Sequence, residues 1–117
     1  MYIGEVADKT GLSIKAIRLY EEKGLIPVPS RVGRYRVYNE SYVDILTLIK
    51  EAKALGFTLN QLNSMLVYEQ GQVNWQKVQG YLMEHKNRLL EQQAILAAQL
   101  SQIDACIQGI DSCPELT

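Results

Sequence analysis

The chain is poor in features that mark several large protein classes. Its 117 residues include two cysteines, one histidine and three prolines. No apolar run approaches the roughly twenty residues that cross a membrane, and no secretory leader is recognisable, so we expect a cytoplasmic protein without a membrane partner. Cytosolic cysteines are expected to be reduced. Without a Cys-x-x-Cys pair or a βαβ pattern, a thiol redox enzyme or metal carrier is disfavoured, and we expect no enzyme.

Charge of one sign does not dominate either. The net charge is −1, which excludes a global positive field that would draw the chain to nucleic acid. Residues 1–58 carry nine Lys or Arg against seven Asp or Glu, or +2, whereas residues 59–117 carry three against six, or −3. Any nucleic-acid binding must therefore come from local patches, and the N-terminal half is the basic side.

The N-terminal residues have the pattern of a helix-turn-helix. A short helix over residues 2–9 is followed by a turn at Gly11, and Ser13 can cap a second helix that stops at Gly24. On this second helix Lys15 and Arg18 form an outward stripe suited to phosphates and base edges, while Ile14 and Ile17 face the other side. The pattern leaves Tyr20 open between the core and the outward face.

Residues 30–38 predict a small hairpin, or wing, because alternating and β-branched residues surround a glycine turn. The residues singled out there are Arg31, Arg34, Tyr35, Arg36 and Tyr38. Arginines would neutralise phosphates, and tyrosine hydroxyls would fix position on the nucleic-acid backbone. The alternative is a charged, solvated hairpin without a partner.

The middle of the chain predicts structural helices. Asn39 or Ser41 can start one that ends at Gly56, and the pair Thr58 and Gln61 fits a capping box for another running to about residue 68. A break is expected at residues 69–72.

A long helix should follow, capped by Asn74 and running to about residue 106, weakened only at Gly80. The apolar residues Leu82, Leu89, Leu96 and Ile103 recur at seven-residue intervals, which is typical of a coiled coil. The alternative is a helix folded back on its own head. Since a head this small cannot cover such a length, we expect a homodimer.

The two cysteines fall at the end of that helix. Cys106 and Cys113 flank a short segment containing Gly109, which predicts a loop able to bring two thiols onto one soft cation. Alternatives are incidental thiols, or a regulatory disulfide or adduct that senses oxidants or electrophiles. The sequence does not separate metal sensing from redox sensing.

Three segments together resemble the MerR family of bacterial transcription regulators: YIGEVADKTGLSIKAIRLYEEKGLI at residues 2–26, GRYRVY at 33–38 and LGFTL at 55–59. The resemblance implies a mainly α protein with a winged helix-turn-helix DNA-binding head followed by a long coiled-coil dimerisation helix. We expect the head at residues 1–70, the dimerisation helix at 71–108, and an effector-binding loop and tail at 109–117.

The resemblance also implies partners and contacts. Two antiparallel long helices would place one head on each half of a double-stranded promoter operator, and the loaded dimer would bend and untwist the DNA for RNA polymerase. The expected DNA-contacting residues are Lys15, Arg18, Tyr20, Arg31, Arg34, Tyr35, Arg36 and Tyr38. The segment around Phe57 and Thr58 would form a second wing-like element touching the DNA backbone. A rival is an architectural DNA binder without a ligand.

Metal-sensing members that resemble this chain hold their ion with two cysteines at the positions of Cys106 and Cys113. Sensors of divalent ions add a third cysteine before the long helix, where this chain has residues 71–74, Gly-Gln-Val-Asn. We therefore expect a monovalent ion, Cu(I) or Ag(I), and give less weight to Cd or Zn. Two observations favour a divalent ion instead. The six-residue spacing between the cysteines resembles cadmium- and lead-type members, and this chain lacks the serine usual in monovalent sensors.

Overall fold

The computed structural model describes residues 1–112, which are mainly helical and divide into two units, Met1–Val78 and a second that begins at Gln79. In chain order the elements are α1 (Ile3–Thr10), α2 (Ile14–Glu22), β1 (Ser30–Val32), β2 (Tyr35–Val37), α3 (Glu40–Ala54), α4 (Leu59–Met65), β3 (Tyr68–Glu69), β4 (Gln72–Val73) and α5 (Trp75–Ser112). No helix within residues 1–112 is long and apolar enough to span a bilayer.

The helix-turn-helix is confirmed. Helix α1 ends at Gly11, whose φ of 74° is the left-handed conformation that glycine adopts without steric cost. Helix α2 begins after Ser13, whose hydroxyl accepts a hydrogen bond from the Ala16 backbone N–H at 3.0 Å. At the end of α1 the buried Thr10 hydroxyl donates to the Val6 carbonyl, so this buried polar group has a hydrogen-bond partner.

The wing is also confirmed. Strands β1 and β2 pair antiparallel with Ser30 opposite Val37, and Gly33 takes a φ of 62° in the two-residue turn. The same register sets Arg31 directly opposite Arg36. Two like charges in a cross-strand pair repel, so one of them needs a counter-charge nearby.

The core of the first unit lies among α1, α2, α3 and α4. Its largest fully buried side chains are Tyr38, Ile17, Leu25, Leu46, Ile49, Leu62, Met65 and Val6. Helix α3 is capped by Asn39, whose side chain accepts from the Ser41 N–H, and the predicted capping box of Thr58 and Gln61 starts α4. These caps satisfy N–H groups that helix ends otherwise leave unpaired.

The segment after α4 differs from the prediction. Helix α4 ends at Met65 rather than near residue 68, and the expected break is a second hairpin, β3 and β4. Its tip has positive φ at both Gln70 and Gly71, the pattern of a tight hairpin turn. The Tyr68 hydroxyl donates to the Leu25 carbonyl and ties this hairpin to the segment after α2. Two-residue strands are too short to show the alternation that reveals strands in a sequence.

Helix α5 runs further than predicted. The Asn74 side chain accepts from the Lys77 N–H at 3.2 Å and caps it as expected. The helix then continues through Gly80 and Gly109 to Ser112, so the loop predicted from residue 109 is wrong for residues 109–112. One glycine costs a helix only about 1 kcal/mol and does not by itself end it.

Beyond the head, α5 carries a seam of exposed apolar side chains. Leu89, Leu96 and Ile103 are each about half exposed, and Leu100 and Ile107, four residues after Leu96 and Ile103, fall on the same face. Soluble chains rarely leave such a continuous stripe in water.

Candidate nucleic-acid interface and thiol site

The outward face of α2 presents the two predicted cations. Lys15 and Arg18 are exposed, whereas Ile17 is buried on the opposite side. Tyr20 is only 8% exposed and belongs to the core, so its expected contact with DNA is corrected. A helical spacing of three residues from Ile17 to Tyr20 puts both on the inner face.

An arginine-rich cavity of about 260 Å³ lies in the head beside α2. Its lining residues are Tyr2, Ile3, Arg18, Arg31, Arg34, Tyr35 and Arg36. The rings of Tyr2 and Tyr35 meet there, with centroids 5.7 Å apart. The wing thus brings its arginines to the same place as Arg18 of the second helix. Several guanidinium groups around one opening suit an oxyanion such as a phosphate.

Arg36 differs from the other wing arginines. Its Nη2 lies 3.1 Å from Oε2 of Glu21, an ion pair in which the Glu21 side chain is only 8% exposed. Arg31 and Arg34 are exposed. The sequence did not predict Glu21 as the partner of Arg36. The one available signal was that Glu21 lies off the outward stripe of α2, which places it toward the interior.

Tyr38 also departs from expectation. Its ring is 1% exposed and packs edge-on against Tyr42, with centroids 5.1 Å apart, so the predicted contact with the DNA backbone is corrected. Burial raises the pKa of the Tyr38 hydroxyl, the nearby Glu21 carboxylate adds to that rise, and Arg36 and Arg18 oppose it. The alternating wing pattern ends at Val37, and the chain turns inward at Tyr38.

Replacing Tyr38 with phenylalanine is a direct check on this correction. Within residues 1–112 the buried Tyr38 hydroxyl makes no hydrogen bond of normal geometry, so Tyr38→Phe removes a poorly satisfied polar group while keeping the ring. We expect an unchanged or higher melting temperature in a thermal melt and unchanged DNA affinity in a gel-shift titration. A large loss of DNA affinity with an intact fold would mean that the Tyr38 hydroxyl contacts DNA after all.

The expected second wing-like element lies between α3 and α4. Phe57 is buried, and its N–H donates to the Ala52 carbonyl. The Thr58 hydroxyl is used in the capping box. Phe57 therefore belongs to the core, which corrects its expected contact, and the backbone at the exposed Thr58 stays a proposed contact.

The thiol site is described only in part. Cys106 is a free, exposed cysteine on α5, and Cys113 lies outside the described residues. Within residues 1–112, no three His, Cys, Asp or Glu side chains gather as a metal-binding group. His85 lies 21 positions before Cys106 on the same helix, which is roughly 30 Å along its axis, so it cannot share an ion with that thiol within one chain.

Comparison with known proteins decides the family. Residues 1–68 match the model described as MerR HTH family regulatory protein, and residues 43–106 match the one described as MerR, DNA binding. The chain belongs to the MerR family. Its relatives are transcription regulators rather than enzymes, and the two family models together cover residues 1–106 of this chain.

Two curated relatives illustrate the match. The mercuric resistance operon regulatory protein of Bacillus cereus is 49% identical over 65 residues, which is 55% of this chain and 49% of that protein. The HTH-type transcriptional regulator CueR of Salmonella typhi is 34% identical over 119 aligned residues, covering 97% of this chain and 82% of that one. The chain thus spans about half of the first relative and most of the second.

Solved structures agree on the architecture. The transcription regulator PbrR691 of Ralstonia metallidurans, in complex with lead(II), aligns with a TM-score of 0.60 at 25% identity over 100% of this chain and 91% of that chain. A putative MerR-family regulator from Listeria monocytogenes aligns with a TM-score of 0.66 at 22% identity, covering 96% of this chain and 86% of that chain. The second likeness concerns the fold alone.

Proposed function

We propose that this MerR-family protein is a homodimeric transcription regulator that binds promoter DNA and responds to a thiophilic metal ion through Cys106 and Cys113. The observation that carries the DNA-binding part is the arginine-lined cavity shared by α2 and the wing. The metal-responsive part is supported by the two thiols and by relatives whose names include mercuric resistance and lead(II).

On DNA, α2 would act as the recognition helix. Lys15 and Arg18 project from its exposed face and can reach base edges and phosphates in the major groove. The exposed Arg31, Arg34 and Tyr35 of the wing can hold the adjacent backbone, with one phosphate seated in the cavity. The N-terminal excess of positive charge supports this side as the DNA-facing one.

Arg18→Ala is expected to weaken operator binding by about 1 to 3 kcal/mol, because Arg18 is the cavity's contribution from α2 and can also reach base edges. The measurement is a gel-shift titration on a duplex that the wild-type protein selects from a random library. Lys86→Ala, which removes an exposed cation from α5, is the matched control and should bind normally. Unchanged binding by Arg18→Ala would contradict the assignment.

The dimer would form through α5. Its exposed apolar seam supports association with a second copy, because two identical heptad stripes bury each other's apolar surface. Twofold pairing would then present two heads to a pseudo-palindromic operator. In this proposal residues 1–70 bind DNA, residues 71–108 dimerise, and residues 109–117 respond to the effector.

The donor set fits a soft ion. Two thiolates without a third cysteine favour Cu(I) or Ag(I), whereas Zn and Cd usually take more ligands. Such an ion would supply a cross-link between the two thiols. Cys106 is exposed, so its sulfur is available to a ligand.

The length of α5 constrains how both thiols reach one ion. Residues seven apart in an unbroken helix are about 10.5 Å apart along its axis, whereas two sulfurs on one ion lie within about 5 Å of each other. Since α5 is helical to Ser112, binding by Cys106 and Cys113 of the same chain requires the chain to leave the helical path between them. Between the two cysteines, Gly109 is the residue that least favours a helix.

The regulatory step would be a shift between two conformers of the dimer. A bound ion can move this balance only by its different affinity for the two states. Bending and untwisting a promoter costs a few kcal/mol, which a tight thiolate site is able to offset. In the state favoured by the ion, the dimer would hold the promoter in the form that RNA polymerase engages.

A second candidate is a redox- or electrophile-sensing regulator. The observation that favours it is the exposure of the free Cys106 thiol, since accessible thiols are the ones that oxidise. Anaerobic metal titration and peroxide treatment of the reduced protein separate the two functions. An architectural DNA binder would respond to neither.

A further inference from the structure

The wing and the recognition helix are joined by a polar contact inside the head. Glu21 comes from the inner side of α2, and Arg36 from β2, and their charged groups lie 3.1 Å apart. Tyr38 lies two residues after Arg36 in the chain, and both charges act on the pKa of its hydroxyl, which burial and the Glu21 carboxylate raise and Arg36 lowers. The contact thus joins α2, which carries the exposed Lys15 and Arg18, to the wing, which carries the exposed Arg31 and Arg34.

The pair also explains the arginine register of the wing. Arg31 stands directly opposite Arg36 across the two strands, an arrangement that repels when both charges are free. The Glu21 carboxylate neutralises Arg36 from the α2 side. Arg31 is then left as the exposed cation of this cross-strand pair.

The cluster contributes little to stability by itself. Among residues 1–112, the buried atoms Glu21 Oε1, Arg36 Nε and the Tyr38 hydroxyl make no hydrogen bond of normal geometry, and each such atom costs desolvation free energy. A buried ion pair is often no more stabilising than apolar residues of the same volume, whereas removing one partner leaves a costly unpaired charge. The effect of the ion pair is instead on geometry, because it fixes the position of β2 against α2.

We propose that the Glu21–Arg36 ion pair positions the wing against the recognition helix, and that Arg36 acts on DNA binding through the wing rather than by contacting a phosphate. This inference rests on the proposed DNA-binding role of the head. Glu21 and Arg36 are therefore positioning residues, and Arg31 and Arg34 are the wing cations that touch DNA.

The direction in which Glu21→Gln changes DNA affinity separates this proposal from a plain electrostatic effect. Removing a carboxylate near DNA ordinarily strengthens binding, because its repulsion of the phosphates disappears. Glu21→Gln should instead weaken binding to the library-selected duplex by between about twofold and thirtyfold, the range exerted by residues outside an interface. The matched control is Glu22→Gln, which removes the same charge from the exposed neighbouring position and should bind more tightly.

Salt dependence gives the second readout. Arg36→Gln should weaken binding while leaving the slope of log affinity against log salt unchanged, whereas Arg31→Ala should lower that slope by about 0.9 for each phosphate that the protein no longer neutralises. The double variant Glu21→Gln/Arg36→Gln leaves no unpaired charge, so its head should remain folded in a thermal melt. It should bind no more weakly than either single variant, because both act through one ion pair.

Each outcome has a definite meaning. Tighter binding by Glu21→Gln, or a lower salt slope with Arg36→Gln, would overturn the positioning role and make Arg36 a phosphate contact. Additive losses of affinity in the double variant would overturn it as well. If the wild-type protein selects no duplex from the library, the proposed DNA-binding function itself fails, which is a different result.

Discussion

Replacing Cys106 with serine is expected to lower the affinity of the reduced protein for Cu(I) by more than about 100-fold, since the loss of groups that merely support a ligand already costs up to that much. The reason is that only two cysteines are present and a two-thiolate site loses half of its donors. The measurement is an anaerobic titration with Cu(I), Ag(I), Zn(II) and Cd(II) against a competing chelator.

Two further variants sharpen this titration. Cys113→Ser should behave as Cys106→Ser does, because both sulfurs are expected on one ion. His85→Ala is the control, since His85 lies roughly 30 Å along α5 from Cys106 of its own chain, and it should bind normally. Equal affinities in all the variants and the wild type would mean that the thiols are not the ligands.

Placing a charge in the α5 seam is expected to convert the protein to monomers. Leu96 is 59% exposed in the single chain, so Leu96→Arg can be tolerated by an isolated α5 but not by two seams packed together. Twofold symmetry would bury the added charge twice. Losing the second head should weaken operator binding by between about 100-fold and 10,000-fold, the usual gain from linking two binding modules.

Analytical ultracentrifugation measures the first effect, and gel-shift titration the second. The matched control is Ala98→Arg, two residues along and therefore about 200° around the helix from Leu96. It adds the same charge on the far face and should leave the dimer intact. Dimers that persist with Leu96→Arg would show that this seam is not the interface.

Much of the head follows from local sequence rules. Ser13, Thr58 and Asn74 all cap the helices that their positions predict, and Gly11, Gly24 and Gly33 all take the positive φ that ends a helix or turns a strand. Such signals act within a few residues, so contacts with distant parts of the chain do not change them. The helical periodicity of α5 is equally local.

The predictions that are wrong have two physical causes. Whether Arg36 or Tyr38 faces outward depends on Glu21 and Tyr42, which lie on other elements, and alternation along one short strand cannot reveal them. The predicted end of α5 near residue 106 is wrong because Gly109 is only a modest penalty to a helix and does not end it. Contacts between distant residues therefore set the limits of the sequence-based prediction of the site.

The most direct test of a metal-switched DNA distortion is in vitro transcription with RNA polymerase, from a promoter carrying the selected operator between its two polymerase-binding elements. Wild-type protein should repress without Cu(I) and activate with it, whereas the Cys106→Ser/Cys113→Ser variant should bind the promoter and repress under both conditions. Identical transcription by the wild-type protein with and without Cu(I), Ag(I), Zn(II) or Cd(II) would contradict the account.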